Sequence, residues 1–137
     1  MAGKFTRLQK AYRMADADGV AYYTAVVAAG AEYCKKPTTD NEVPLGVVDN
    51  DERIADGYSL TGDQTGKQIS VKLEGIAAIR LEGTIAAGDR VIIGAGGVAK
   101  KIPATAGQYN VLGFSEVDGV AGDIIYVRMA YHVWTVA

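Results

Sequence analysis

The chain has few of the side chains on which most enzymes and metalloproteins depend. Its 137 residues include one cysteine, Cys34, and one histidine, His132. A single cysteine excludes an internal disulfide and favours assembly in a reducing compartment. One histidine without nearby cysteine or histidine partners does not build a transition-metal site, and no G-x-S-x-G elbow supplies a serine for a catalytic triad. We therefore expect no enzymatic activity, no metal and no cofactor.

Long apolar runs are absent as well. No stretch approaches the roughly 18 apolar residues of a membrane-spanning helix. The first residues also lack the apolar region of a secretory signal peptide. We therefore expect a protein that is made in the cytoplasm and has no membrane partner.

Glycine, in contrast, is abundant, with 17 residues against three prolines. Many glycines among Val, Ile and Thr are typical of strands joined by turns. The segment ISVKLEGIAAIRLE (69–82) alternates apolar and polar side chains, as in a half-buried strand that bends near Gly75. Other strand-like segments are AYYTAVV, PLGVV, TIAAGDRVIIGAGG, VAKKI, NVLGFS and DIIYVRMAYHVWTV. We predict an all-β fold, with a polar loop over residues 49–67.

Two stretches of the chain resemble each other. VVAAGAEYCKKPTTDNEVPLGVV (26–48) aligns with VIIGAGGVAKKIPATAGQYNVLGFS (91–115), so that the lysine pairs coincide and, after two inserted residues, the Leu-Gly pairs do too. Further on, ISVKL (69–73) matches IYVRM (125–129) in character. We predict an internal repeat, about 26–73 and 91–129, whose two similar halves bury their apolar faces against each other in a barrel or sandwich.

The net charge of −2 is unevenly distributed. Residues 1–15 hold four of the 14 basic residues and none of the 16 acidic ones. Apolar side chains recur there at helical spacing, at Phe5, Leu8, Tyr12 and Ala15, but the segment is too short for a stable helix on its own. We interpret residues 1–18 as a basic arm that orders against a partner, and residues 19–137 as the β-domain. A frayed terminus with chance charges would explain the same composition.

An acidic protein surface is a better partner for this arm than nucleic acid. The remaining residues are acidic overall and form no clustered aromatic platform for base stacking. We therefore expect no nucleic-acid binding. Removing residues 1–15 is expected to leave the β-domain folded while weakening attachment to the partner. The residues expected to bind the partner are Lys4, Phe5, Arg7, Leu8, Lys10, Tyr12 and Arg13.

The second half of the chain contains a GD.V strand, a glycine turn, a lysine strand, an LG motif and a final G....V strand. The residues of these motifs are Gly88, Asp89, Val91, Gly94–Gly97, Lys100, Lys101, Leu112, Gly113, Gly122 and Val127. In these motifs it resembles the small capsid decoration, or cement, proteins of tailed bacteriophages. PLGVVDND and ISVKLEGIAAI fit the first half of the family, so the resemblance covers roughly residues 20–130.

The resemblance implies a compact β-domain in the β-tulip style of lambda-like decoration proteins. It implies a homotrimer on the outer surface of the virion capsid, where it would stabilise the expanded shell by clamping neighbouring subunits of the major capsid protein. Self-association is expected to involve Tyr131, His132 and Trp134. The longer loop 49–67 and the tail YHVWTVA depart from the family pattern.

A carbohydrate- or host-surface-binding module of a virion is the alternative. Aromatic side chains provide stacking faces for sugars. The candidates are Tyr22, Tyr23, Tyr58, Tyr109, Tyr131 and Trp134.

Overall fold

Nine β-strands form one continuous sheet in the part of the chain that the structure describes. The structure is a computed structural model and describes residues 5–49 and 62–137, with side chains from Leu8 onward. Its strands are β1 (Phe5–Met14), β2 (Thr24–Ala28), β3 (Tyr33–Lys35), β4 (Gly46–Val48), β5 (Gln68–Arg80), β6 (Arg90–Ile93), β7 (Ala99–Lys101), β8 (Gly107–Ser115) and β9 (Ile124–Val136). The all-β barrel prediction is confirmed. Among these residues there is no helix long and apolar enough to cross a membrane.

The first five strands close into a barrel. They neighbour one another in the order β1–β3–β2–β4–β5, and β5 pairs back to β1. The β1–β5 pairing is antiparallel and runs from Phe5 opposite Ile76 to Arg13 opposite Gln68. Apolar side chains fill the barrel; the buried ones are Met14, Val20, Val26, Cys34, Val48, Ile69 and Val71.

Residues 5–14 thus form a strand of the barrel rather than an arm apart from it. The helical spacing of the apolar residues there does not give a helix. Two shifts of the β1–β5 register, on either side of Leu8, interrupt the simple alternation of a strand. Met14 is fully buried, so the end of β1 belongs to the core. The turn expected at DADG follows it, with Gly19 at a φ of 77° and its N–H donating to the carbonyl of Asp16.

Strand β5 connects the barrel to the rest of the sheet. It bends at Gly75, as expected, where φ is 113°. Beyond this bend, Ile76–Arg80 pair with Ile124–Arg128 of β9, and the sheet continues through β8 and β6 to β7. A second buried apolar cluster joins the two halves of the sheet. It includes Ala25, Val27 and Val47 of the barrel strands together with Ile79, Leu81, Val91, Ile93, Leu112, Ile125 and Val127.

The two similar sequence halves form the same arrangement of strands. The pairings β2–β3, β2–β4 and β4–β5 have counterparts in β6–β7, β6–β8 and β8–β9. Their registers agree with the sequence alignment. The matching pairs are Val27–Lys35 with Ile92–Lys100, Val26–Gly46 with Val91–Gly113, and Val47–Lys72 with Phe114–Arg128. Of the loop expected at 49–67, residues 50–61 lie outside the described residues.

Candidate functional site

The residues expected to bind a partner lie on or before β1. Lys4 lies outside the described residues, and so do the side chains of Phe5 and Arg7. Leu8 is 48% exposed, which is unusual for a large apolar residue. Tyr12 instead packs partly buried against the barrel core. Of these two apolar residues, Leu8 is therefore the one exposed enough to contact a partner.

Two basic side chains of β1 are at the surface. Lys10 and Arg13 are both exposed. The Lys10 ammonium lies 3.3 Å from a carboxylate oxygen of Glu32 and 5.1 Å from the centre of the Tyr12 ring. Such an exposed ion pair stabilises a fold by no more than about 1 kcal/mol. Lys10 can therefore exchange Glu32 for a carboxylate of a partner at little cost.

The three residues expected to mediate self-association are neighbours on β9 but make different contacts. Tyr131 is exposed, and its hydroxyl donates to the Oδ1 of Asn110 at 3.0 Å. His132 and Trp134 instead meet Arg90 of β6. The Arg90 Nε donates to the Nε2 of His132 at 3.2 Å, and the guanidinium carbon lies 3.5 Å from the centre of the Trp134 ring.

Phe114 completes this cluster on β8. Its ring stacks on His132 with 5.5 Å between the ring centres. Arg90 and Arg128 lie 5.4 and 5.3 Å from the centre of the Phe114 ring. An arginine Nε is always a donor, so the Nε2 of His132 accepts and its Nδ1–H donates to the carbonyl of Ala130 at 2.8 Å. The cluster thus holds the rings of His132 and Trp134 in fixed positions.

Sequence reasoning missed Arg90 and Phe114. The alternation along β9 shows that His132 and Trp134 share a face, but it does not show which strands lie beside them. The register places Arg90 opposite Phe114, and Phe114 opposite Arg128. The cation–aromatic cluster therefore follows from strand pairing and not from any local motif.

A groove of about 610 Å³ opens where β5 and β9 separate. It lies among the start of β4, the bend of β5 and the middle of β9. Apolar side chains form most of its walls, while Glu74 and Arg128 carry its charges. The apolar residues include Leu45, Leu73, Ile76, Leu112, Met129 and Tyr131.

Asp40 and Cys34 each have a pKa that is shifted by their contacts within the fold. The Asp40 carboxylate accepts from the Ala95 N–H at 2.9 Å and from the Lys100 ammonium at 2.9 Å, and these bonds lower the pKa of Asp40. Burial, with a smaller effect of Asp16, raises the pKa of the Cys34 thiol to about 11. A thiol with that pKa stays protonated near neutral pH and is a poor nucleophile. Within residues 5–49 and 62–137, no three His, Cys, Asp or Glu side chains are grouped to hold a metal ion.

The candidate sugar-stacking residues are partly engaged within the protein. Tyr22 packs against the barrel core, and the Tyr109 hydroxyl donates to the carbonyl of Thr105 at 2.9 Å. One face of Trp134 is covered by Arg90. Tyr58 lies outside the described residues. Carbohydrate binding therefore stays a prediction that no contact described here favours.

The fold is that of an all-β protein in which a closed five-stranded barrel is extended by further strands. No protein-family model and no curated protein matches the chain. Among solved structures, the chain is similar to the crystal structure of the head fiber gp8.5 N base in bacteriophage phi29. The TM-score is 0.62 at 15% sequence identity, and the match covers 90% of this chain and 93% of that chain. Likeness at this identity shows a shared fold, and the resemblance to lambda-like decoration proteins stays a prediction.

Proposed function

We propose that the protein is a structural component of a bacteriophage virion and binds the outer surface of the capsid. There it would stabilise the expanded shell by holding neighbouring subunits of the major capsid protein together. The observation that carries this proposal is the likeness, over 90% of the chain, to the base of a phage head fiber. The decoration-protein motifs of the sequence support the same assignment from a separate direction.

The barrel offers the capsid a rigid surface. Because β1 is paired along its length with β5, its exposed side chains are already in place before a partner binds. Binding then avoids most of the entropy cost of ordering a free arm. On a symmetric shell, many such contacts add through avidity, so each one needs only modest strength.

Charge complementarity favours the surface of β1 as the contact. Lys10 and Arg13 are exposed on this strand, as is the apolar Leu8. An apolar contact surrounded by charges is the usual anatomy of a protein interface. We infer that Leu8 packs on the coat protein while Lys10 and Arg13 meet its acidic groups.

The experiment is cosedimentation of the purified full-length chain with capsids of the phage that encodes it, stripped of this protein. The wild-type chain should sediment with the capsids. The double variant Lys10→Glu, Arg13→Glu should bind about tenfold or more weakly, because like charges then face each other. Lys101→Glu is the matched control, since Lys101 is similarly exposed but lies on β7.

The possible outcomes distinguish an error in the proposed contact surface on β1 from an error in the proposed capsid function. Equal binding of the wild type and the double variant would exclude β1 as the contact while leaving capsid association intact. Failure of the wild-type chain to sediment with capsids would contradict the proposed function itself.

A further inference from the structure

The hydrogen bond between Arg90 and His132 requires the neutral form of the histidine. The Nε of Arg90 lies 3.2 Å from the Nε2 of His132. Because an arginine Nε always carries a proton, the Nε2 of His132 has to accept. The single ring proton is therefore on Nδ1, which donates to the carbonyl of Ala130 at 2.8 Å. A second proton on this ring could only be placed on the Nε2, where it would point at Arg90.

The groups around the His132 ring would not balance such a proton. Arg90 reaches the ring from β6, and from β8 the uncharged Phe114 stacks on it. Arg128 of β9 lies 5.3 Å from the centre of the Phe114 ring and is paired with Glu116 at 3.8 Å. Within residues 5–49 and 62–137, no carboxylate makes a hydrogen bond or an ion pair with Arg90 or His132. A protonated His132 would thus face the positive charge of Arg90 without a counter-charge of its own.

We propose that His132 is a pH-sensitive switch, which holds Arg90 over Trp134 when it is neutral and releases Arg90 when it is protonated. Histidine ordinarily gains its second ring proton between about pH 5 and pH 8. Once the Nε2 carries that proton, it and the Arg90 Nε are two donors of like charge, and the bond between them is lost. The bond from Nδ1 to the carbonyl of Ala130 is made in both forms. His132 therefore stays in place, and Arg90 is the side chain that moves.

Release of Arg90 changes the surface at the end of β9. The guanidinium carbon lies 3.5 Å from the centre of the Trp134 ring and covers one of its faces. When Arg90 leaves, that face opens, and the protonated His132 adds a positive charge beside it. Residues 129–137 contain no Lys, Arg, Asp or Glu, so the neutral segment becomes a charged one. His132 and Trp134 are also expected to mediate self-association, so acid would change both the charge and the shape of that surface.

Nuclear magnetic resonance of the ¹⁵N-labelled full-length chain tests this proposal, because the chain has one histidine and therefore one set of ring signals. At about pH 8, the ¹⁵N shifts of the ring should be those of the Nδ1–H tautomer. The Nε–H signal of Arg90 should be displaced by the ring currents of Trp134 and Phe114. On acidification to about pH 5, which spans the ordinary range of histidine, this signal should move toward that of the exposed Arg13. The movement should follow the protonation of His132.

Two variants make the measurement specific. Arg90→Lys identifies the Arg90 signal, because lysine has no guanidinium Nε–H and the signal disappears. His132→Gln is the matched control, since the glutamine oxygen can accept from Arg90 but does not titrate. In this variant the Arg90 signal should keep one position over the same pH range. The titration of the wild type tests the proposal even where His132→Gln does not fold.

Three results would overturn the proposal. One is an Nε2–H tautomer of His132 at about pH 8, because that form cannot accept from Arg90. Another is an Arg90 signal that stays in place while His132 gains its proton. The amide signals of the barrel strands are expected to remain dispersed throughout the titration. Their loss together with the movement of Arg90 would show general unfolding in acid rather than a local switch.

Discussion

Gly46 and Gly113 occupy equivalent positions in the two halves, and neither leaves room for a side chain. A Cβ at Gly46 would collide with the carbonyl oxygen of Lys72, and one at Gly113 with that of Arg128. Neither glycine has a left-handed φ, so the requirement is for space and not for backbone freedom. The Leu-Gly pairs of the sequence repeat thus mark two places where neighbouring backbones approach closely.

We predict that Gly46→Ala and Gly113→Ala each lower the free energy of unfolding by roughly 1–3 kcal/mol, because a backbone carbonyl has to move. Gly94→Ala is the control: its Cβ would meet side-chain atoms, nearest the flexible end of Lys100, and its cost should be smaller. Urea unfolding measures all three. A larger loss for Gly94→Ala than for the other two would contradict this account of the close contacts.

An ion pair also recurs in both halves, in two different environments. Lys72 and Asp49 are 3.0 Å apart and nearly fully buried, with 2% and 4% of their side chains exposed. Asp49 also accepts from the Ala78 N–H, and Lys72 donates to the carbonyl of Ile76. The equivalent pair, Arg128 and Glu116, is 3.8 Å apart and open to solvent.

We predict that Asp49→Asn costs about 3–5 kcal/mol of unfolding free energy, because it leaves the Lys72 ammonium buried without its counter-charge. Glu116→Gln, the matched substitution at the exposed pair, should cost about 1 kcal/mol or less. Chemical unfolding of both variants gives the comparison. Similar losses at the two sites would show that burial does not set the strength of the pair.

At the scale of elements, β1 is where the structure departs most from expectation. The basic composition of residues 1–15 suggested a removable arm. The strand instead covers β5 from Gln68 to Ile76 and adds Met14 to the core. Leu8, Lys10 and Arg13 are exposed on this fixed strand, where the proposed capsid contact would lie.

Deleting residues 1–15 is therefore expected to disrupt the barrel rather than leave the body folded. The deletion uncovers one edge of β5 and removes Met14 and Tyr12 from the core, so the cooperative thermal transition should be lost or shifted down strongly. Circular dichroism of the deletion variant measures this. The double variant Lys10→Glu, Arg13→Glu keeps the strand and should melt near the wild type. An unchanged transition after the deletion would show that β1 is dispensable.

Much of the element order could be predicted from the sequence, because alternation and glycine turns are local signals. The sequence repeat also indicates which residues pair in equivalent strands, because its aligned lysine and Leu-Gly pairs lie at equivalent register positions in the two halves. The β1–β5 pairing could not be predicted, because it joins residues more than 50 positions apart and leaves no local pattern. The same holds for Arg90, which reaches His132 and Trp134 only through the β6–β8–β9 order.

At the scale of the whole molecule, the proposed role depends on the rigid β-fold and not on a reactive group. The two halves build a continuous β-body around two apolar clusters. The base of a phage head fiber has a similar fold at 15% identity. A capsid-bound protein needs such a body to carry load, and it needs surface contacts that many copies repeat.

The protein, as we propose, is part of a phage particle. Quantitative mass spectrometry of gradient-purified particles, comparing its copy number with that of the major capsid protein, tests that claim most directly. We predict comparable copy numbers of the two proteins, as expected for a component spread over the shell. A handful of copies would instead place the protein at a vertex or tail. Its absence from purified particles would contradict the account.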